Sequence, residues 1–473
     1  MNAVILGLQN KREIPVPWLR WGHRALFAIL DQALFAGANF VVNILLARWV
    51  SPESYGAFAI AYSIFLLLGA LHTAILTAPL LVFGPSNYSA TFGQYLRLLL
   101  FLHTGLTAAM SVILVGVAGL LSWIGSAGVS QAFLGLAMAT PFILLTWLLR
   151  VACYVRFRPQ WAAAAGALYL LVLTAGLSGL YRSHLLSPST AFGVMAVSGL
   201  IAGFGLLMLL DPQWRVGLKF SSVYRVGTVL GRLRWMIDGS ASPAGADGQS
   251  RWEPARALHD HFRFAKWQSA SSATAWLASN LHYFVLSSVA GLGTVAVMRV
   301  LDTMLVPYFH YQAALARLIT PVLARRARNP RGELLPYATR IFLLWTSQAV
   351  IAYIVLKVFA GDIMSLLYGD TYSRYRPLLA WYSLVIVSAA ASEVLLDVLQ
   401  VMVRTDLTFL SQLLSSGCLL VGFLVAAKRG LPGIVSVLVL VSFAILPLQM
   451  VAARLVLRNA RDHADASQPA ASL

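Results

Sequence analysis

Charge is what this sequence has least of. Of 473 residues only 11% are Asp, Glu, Lys or Arg, against about 25% in a soluble domain. A water-soluble chain of this length would divide into two or three domains, each clothed in charged side chains, and that organisation is excluded. Cysteine occurs twice, at Cys153 and Cys418, each inside or beside an apolar run. Neither a disulfide framework nor a cysteine metal site is expected. His72, His103, His282 and His310 show no short ligand spacing, which argues against a metal site, and no Gly-rich nucleotide loop of the Walker type occurs. No cofactor is expected.

Hydrophobic residues, by contrast, make up 59% of the chain and recur in long runs from Ala25 to Leu457. Taking about 20 apolar residues as one bilayer crossing, helices are predicted near 25–49, 55–80, 93–121, 130–154, 160–181 and 189–210. Six more are predicted near 262–288, 292–323, 336–358, 377–402, 407–427 and 431–457. Ser51-Pro52-Glu53, Pro159 and Leu431-Pro432-Gly433 are helix-start signals. The first 24 residues are polar and basic. The run that follows is too long for a signal-peptide core and has no small-residue cleavage site, so it is expected to stay as the first helix. The fold class is therefore all-α and polytopic, with about 12 transmembrane helices in two six-helix lobes around a central cavity.

A net charge of +18 could serve nucleic acid, but the basic residues lie in the breaks between apolar runs, where they set topology. With both termini cytoplasmic, the inner segments hold 27 of the 35 Lys and Arg, and the outer ones hold Arg48, Arg182, Lys357, Arg374, Arg376, Lys428 and Arg429. The positive-inside rule favours that orientation in a plasma membrane. The predicted organisation is a cytoplasmic segment 1–24, an N-lobe 25–210, a cytoplasmic linker 211–261, a C-lobe 262–457 and a cytoplasmic tail 458–473. Six plus six helices about one long inner connection is the plan of a two-lobed transporter. Within the linker, Arg215, Lys219, Arg225 and Arg232 lie close to one face among Trp214, Leu218, Tyr224, Val229 and Leu233. That pattern fits an interfacial helix on acidic lipid and equally a solvated loop. Asp238 to Ser250 is rich in Gly, Ala and Ser and is expected to be flexible. The halves echo one another over Asn39–Tyr62 and Asn280–Asp302.

A charge at a helix centre costs roughly 2.5–3.5 kcal/mol on insertion scales, so buried ions must face a partner, water or cargo. They are few: Asp31 in helix 1, Arg299 and Asp302 in helix 8, Glu393 and Asp397 in helix 10. Residues three or four apart share a helix face, so Arg299 is expected to pair with Asp302, and Glu393 with Asp397 makes an acidic strip. Neighbouring carboxylates disfavour joint ionisation, which makes Glu393 and Asp397 candidates for a proton or sodium site, with Asp31 a further one. Mutual neutralisation between packed helices is the plain alternative. Gly199, Gly203 and Gly205 have the spacing of tight helix packing, and Trp and Tyr near helix ends are expected as interface anchors.

The stretches ALFAGANFVVNILLARWVSPESYGAFAIAYSIFLLL and LTAPLLVFGPSNY, within Ala33 to Tyr88, resemble the opening of bacterial polysaccharide and O-antigen flippases. These are members of the multidrug/oligosaccharidyl-lipid/polysaccharide exporter superfamily. Trp267 to Arg325 and GDIMSLLYGDTYSRYRPLL at Gly361 to Leu379 are similar to the same family. The resemblance implies a flippase for polyprenyl-pyrophosphate-linked oligosaccharide in surface polysaccharide biosynthesis. Lipid-linked oligosaccharide and membrane lipids would be its partners, with other polysaccharide-assembly proteins as candidates and nucleic acid excluded. Lipid II flippases of the superfamily are similar in having an arginine and an acid one turn apart in helix 8, here Arg299 and Asp302. A pyrophosphate needs cationic donors and a sugar needs hydrogen-bonding side chains. Arg299 is the candidate for the first, and Asn39, Asn43, Gln32, Asn280, His282 and Gln312 for the second. The alternatives are a cation-coupled multidrug exporter of the same superfamily and a membrane polymerase or ligase. An enzyme acting outside would bring a sizeable outer loop, whereas here the long connection is inside.

Overall fold

In the computed structural model, residues 18–210, 253–327, 334–402 and 404–466 are described. The N-terminal residues before Trp18, the basic segment around 211–233, the 238–250 insert and the end of the tail lie outside them. Among the described residues every element is helical. Helices α1 (Trp18–Trp49), α2 (Pro52–His72), α3 (Ala78–Phe83), α4 (Phe92–Trp123), α5 (Ala127–Val155), α6 (Pro159–Arg182) and α7 (Pro188–Leu210) form the first half. The second half comprises α8 (Pro254–Ala290), α9 (Leu292–Ala327), α10 (Leu334–Tyr368), α11 (Arg376–Tyr382), α12 (Val385–Val401), α13 (Thr405–Ala426), α14 (Gly430–Ala444) and α15 (Leu446–Ala466).

Ten stretches among the described residues are long and apolar enough to cross a membrane. They account for twelve crossings because Asp406–Arg458 counts once yet turns back at Ala427–Arg429, and because α8 is too polar to register. Several predicted edges move. The predicted outer segment beginning at Gly361 is helical up to Tyr368, since α10 continues through it. The tenth predicted helix breaks at Ser383–Leu384 into α11 and α12, and the twelfth at Ile445 into α14 and α15. The linker ends early, because α8 already begins at Pro254.

Local chemistry explains the starts and interruptions. Ser51 caps α2, its hydroxyl accepting the Ser54 N–H at 3.2 Å, and Pro52 occupies the first turn where no donor is needed. Pro141 inside α5 cannot donate to the carbonyl of Ala137. In hydrocarbon that carbonyl must find another donor, and Ser111 Oγ of α4 supplies it at 2.7 Å. At α2 the chain widens into a π-turn over Thr73–Thr77 before α3.

Small residues set the closest approaches. A Cβ on Gly199 would lie 2.9 Å from the Phe142 carbonyl, and one on Gly203 3.1 Å from Thr146 Oγ, so both glycines seat α7 on α5. Gly205 meets nothing and takes no part. Between the halves, α2 packs on α8 and α9. A Cβ on Gly56 would fall 2.0 Å from the Leu292 carbonyl oxygen, so only glycine lets these two helix starts touch. Arg48 Nη1 adds a 3.3 Å bond to the Leu366 carbonyl at the same end. Large aliphatic side chains such as Leu343, Leu344, Ile351 and Val358 on α10 remain exposed, as a face toward lipid requires.

Candidate functional site

The echo between the halves is visible as two hairpins. Each of α1 and α8 carries an asparagine, Asn39 or Asn280, ten residues before its last residue, Trp49 or Ala290. Each then turns sharply into α2 or α9. The second turn is the single residue Gly291, with a φ of +80° that a side chain would resist.

Arg299 lies seven residues into α9, about 10 Å below its start. Its Nε donates to Asn43 Oδ1 of α1 at 2.9 Å, its Nη1 to the Tyr283 hydroxyl at 3.3 Å, and its guanidinium stands 4.7 Å from the centre of the Tyr62 ring. Asn43 Oδ1 also accepts the Tyr55 hydroxyl at 3.1 Å, while Asn43 Nδ2 donates to the Asn39 carbonyl at 2.7 Å. Asn39 Oδ1 accepts the Tyr62 hydroxyl at 3.0 Å. One cation thus joins α9 to α1 and α2 across the seam between the halves.

The predicted direct pairing of Arg299 with Asp302 is not formed. The two share a face of α9, but Tyr283 stands between them, accepting from Arg299 and donating to Asp302 Oδ2. Asp302 Oδ1 accepts the Tyr382 hydroxyl at 2.5 Å, and His282 Nε2 lies 3.4 Å from its other oxygen. A phenol can donate and accept at once, so it relays between cation and anion without cancelling them. Tyr55, Tyr62, Tyr283 and Tyr382 were not anticipated as members of the site. Tyr55 and Tyr62 fall seven apart on α2, one face by helical periodicity, which was the available signal.

The structure therefore gathers Asn39, Asn43, His282, Arg299 and Asp302 into one network. Asn280 stands apart, buried and bonded to the Trp276 carbonyl at 3.0 Å. Gln312 is buried with its Oε1 unpartnered among the described residues, and Gln32 is exposed.

Asp31 belongs to a separate cluster. Arg150 of α5 grips it with two bonds, Nε to Oδ1 at 2.9 Å and Nη2 to Oδ2 at 2.8 Å, and the Tyr154 hydroxyl adds a third at 2.5 Å. The guanidinium also lies 4.1 Å from the Phe35 ring centre. Such a bidentate, hydrogen-bonded geometry offsets part of the cost of burying the two groups. On sequence alone Arg150 counts among the inner basic residues, which hides its partnership.

Glu393 and Asp397 lie one turn apart on α12. Asp397 Oδ2 accepts Thr320 Oγ1 of α9 at 3.1 Å; Glu393 is half-buried and has no hydrogen-bond partner among the described residues. His72 and His103, on different helices, meet at 3.0 Å between α2 and α4. Two imidazoles fall short of a zinc ligand set, and no group of three metal-ligating side chains occurs among the described residues.

No family model matches the sequence, and no curated protein does. Solved structures do match in fold. An inward-facing multidrug resistance MATE family transporter of the MOP superfamily superposes with a TM-score of 0.69 at 13% identity, covering 91% of this chain and 98% of that one. The lipid II flippase MurJ in an inward closed conformation gives 0.64 at 12% identity, covering 93% and 90%. A MOP superfamily transporter from Pyrococcus furiosus, described by its reversed pocket polarity, gives 0.58 at 14% identity over 94% and 96%. At such identities the likeness establishes the fold: a multi-pass helical membrane protein built like these transporters and flippases.

Proposed function

We propose that this chain is a flippase that carries polyprenyl-pyrophosphate-linked oligosaccharide between bilayer leaflets by alternating access of its two halves. The observation that carries this reading is Arg299. A guanidinium among Asn43, Tyr62 and Tyr283 at the seam between the halves, relayed to but not neutralised by Asp302, is a donor set suited to phosphate. The amides and hydroxyls around it suit sugar. The lipid tail would remain in the bilayer while the headgroup crosses between the halves, and no covalent step is needed.

Parting the halves at this level would require Arg299 to leave Asn43. A bound pyrophosphate would replace those bonds with stronger charge-assisted ones, so cargo binding itself would favour release of the seam. Arg299→Ala is expected to abolish export of surface polysaccharide while the chain still reaches the membrane. Normal export by that variant would remove Arg299 from the site.

A second reading, a cation-coupled exporter of small molecules, is favoured by one observation: the Glu393–Asp397 step on α12, where an unpartnered carboxylate sits a turn from a buried one. The same pair would equally serve a flippase driven by an ion gradient.

A further inference from the structure

The helix α8 is far longer than the bilayer requires. Its 37 residues span roughly 55 Å at about 1.5 Å each, whereas the hydrocarbon core is about 30 Å thick and the bilayer with headgroups about 40–45 Å. Measured back from the Gly291 turn, and allowing an ordinary tilt, about 20–24 residues complete the crossing. The stretch from Pro254 to Trp267 therefore lies past the hydrocarbon on the face opposite that turn, its Trp267 end in the headgroup layer and the rest running outward from it.

That stretch has two faces. Ala257, His261 and Ala265 are buried against the first half of the chain. His261 Nδ1 lies 2.9 Å from the Ile75 carbonyl in the π-turn, and Nε2 lies 2.6 Å from the Tyr95 hydroxyl. Asp260 is engaged there too, accepting the Tyr88 hydroxyl at 2.7 Å. On the opposite side Arg256, His259, Arg263 and Lys266 recur at intervals of three and four and are all exposed, forming one stripe down the helix. Phe262 is 67% and Trp267 75% exposed beside it, and Lys266 Nζ sits 5.9 Å from the Trp267 ring centre. Among the described residues no ion pair involves Arg256, Arg263 or Lys266.

We infer that this stripe is a docking surface for the acidic headgroups of bulk membrane phospholipid. Three cations strung along about 15 Å of helix do not converge on one point. They suit the phosphates of several separate headgroups, with Lys266 and Arg263 at the layer and Arg256 adding its field from just beyond it, rather than a single pyrophosphate, which needs donors closing from several sides. Trp267 and Phe262 are the side chains that settle at such a boundary. The one acid within the stretch is turned to the other face by Tyr88, which leaves the stripe purely basic or neutral. The consequence is mechanical: α8 is held to the first half by one face and to the leaflet by the other.

The test is titration of phosphatidylglycerol into the purified full chain, with retained lipid counted by native mass spectrometry. Each charge removed should weaken binding roughly fivefold, so the triple variant Arg256→Gln/Arg263→Gln/Lys266→Gln should lose on the order of a hundredfold. Arg256→Lys/Arg263→Lys, which keeps charge, should bind like the parent; a loss as large as in the triple variant would mean damaged folding and overturn the proposal. It is also overturned by an unchanged triple variant, or by loss confined to a chain carrying Arg215→Gln, Lys219→Gln, Arg225→Gln and Arg232→Gln. Displacement of phosphatidylglycerol by equimolar polyprenyl pyrophosphate would make the stripe a cargo site and overturn it equally.

Discussion

Arg299 of one half and Asn43 of the other share a 2.9 Å hydrogen bond, and the same Asn43 oxygen takes the hydroxyl of Tyr55. Replacing Asn43 with Leu leaves a buried guanidinium nitrogen and a buried phenol without their acceptor. Each unsatisfied buried group costs about 1–3 kcal/mol, more when charged. Asn43→Leu should therefore lower thermal stability in detergent markedly, whereas Asn43→Asp, which keeps an acceptor for both donors and gives up only the Nδ2 bond to the Asn39 carbonyl, should lose less. Equal melting of the two variants would show that the seam bond contributes little.

Gly56 sits where α2 meets the start of α9, and a side chain there has no room, its Cβ falling 2.0 Å from the Leu292 carbonyl. Backbone cannot yield as a flexible side chain can. Gly56→Val should hold the two halves apart at this end, and spin labels at the exposed positions Ser183 and Thr371 should report a longer distance than in the parent. An unchanged distance distribution would show that this contact does not set the spacing of the halves.

These two relationships differ in how far the sequence disclosed them. Helix number and the polar character of α1, α9 and α12 follow from hydropathy and from the cost of charge in hydrocarbon, and both are readable. Arg299 and Asp302 were singled out for the same reason. Their partners were not, because Tyr55, Tyr62, Tyr283 and Tyr382 are ordinary residues in a membrane chain and acquire a role only when helices distant in sequence meet. Arg150 was hidden similarly: near the end of α5 it passes for a topology signal until Asp31 is placed against it. The break at Ser383 has no Pro or Gly beside it to announce it.

The Asp31–Arg150 pair lends itself to separating structure from coupling. Arg150→Met strands a fully buried carboxylate and should cost about 3–5 kcal/mol. Asp31→Leu combined with Arg150→Met removes both charges and should recover most of that stability. If the double variant also transports normally, Asp31 is a structural ion; if it is stable but inactive, Asp31 carries the coupled proton or cation.

Glu393 and Asp397 are the competing coupling candidates. Exchanging them for Gln and Asn removes the charge that a proton or sodium ion would balance, and keeps the shape. Transport into vesicles should then lose its response to an imposed proton or sodium gradient while cargo binding persists. A response of full size would retire these carboxylates from coupling.

The last prediction concerns the docking of α8 and its pH dependence. Burial pushes the His261 imidazole below its usual range, against the opposing influence of the Ile75 carbonyl and Asp260. The groups around it are Tyr95, the Ile75 carbonyl, the Phe83 ring and Asp260, none of them a cation. Docked, the ring stays neutral; released into water, it can take a proton near the ordinary histidine pKa of about 6.5. The undocked state therefore binds more protons, so docking is fully stabilised above that value and weakens as pH falls through it toward the lower docked value. Hydrogen exchange across Ala257–Ala265 should accelerate between pH 7.5 and 5.5 in the parent chain after correction for intrinsic rates. In His261→Phe, which fills the same slot without a titrating nitrogen, that acceleration should vanish. Equal acceleration in both would place the pH-sensitive contact on another residue.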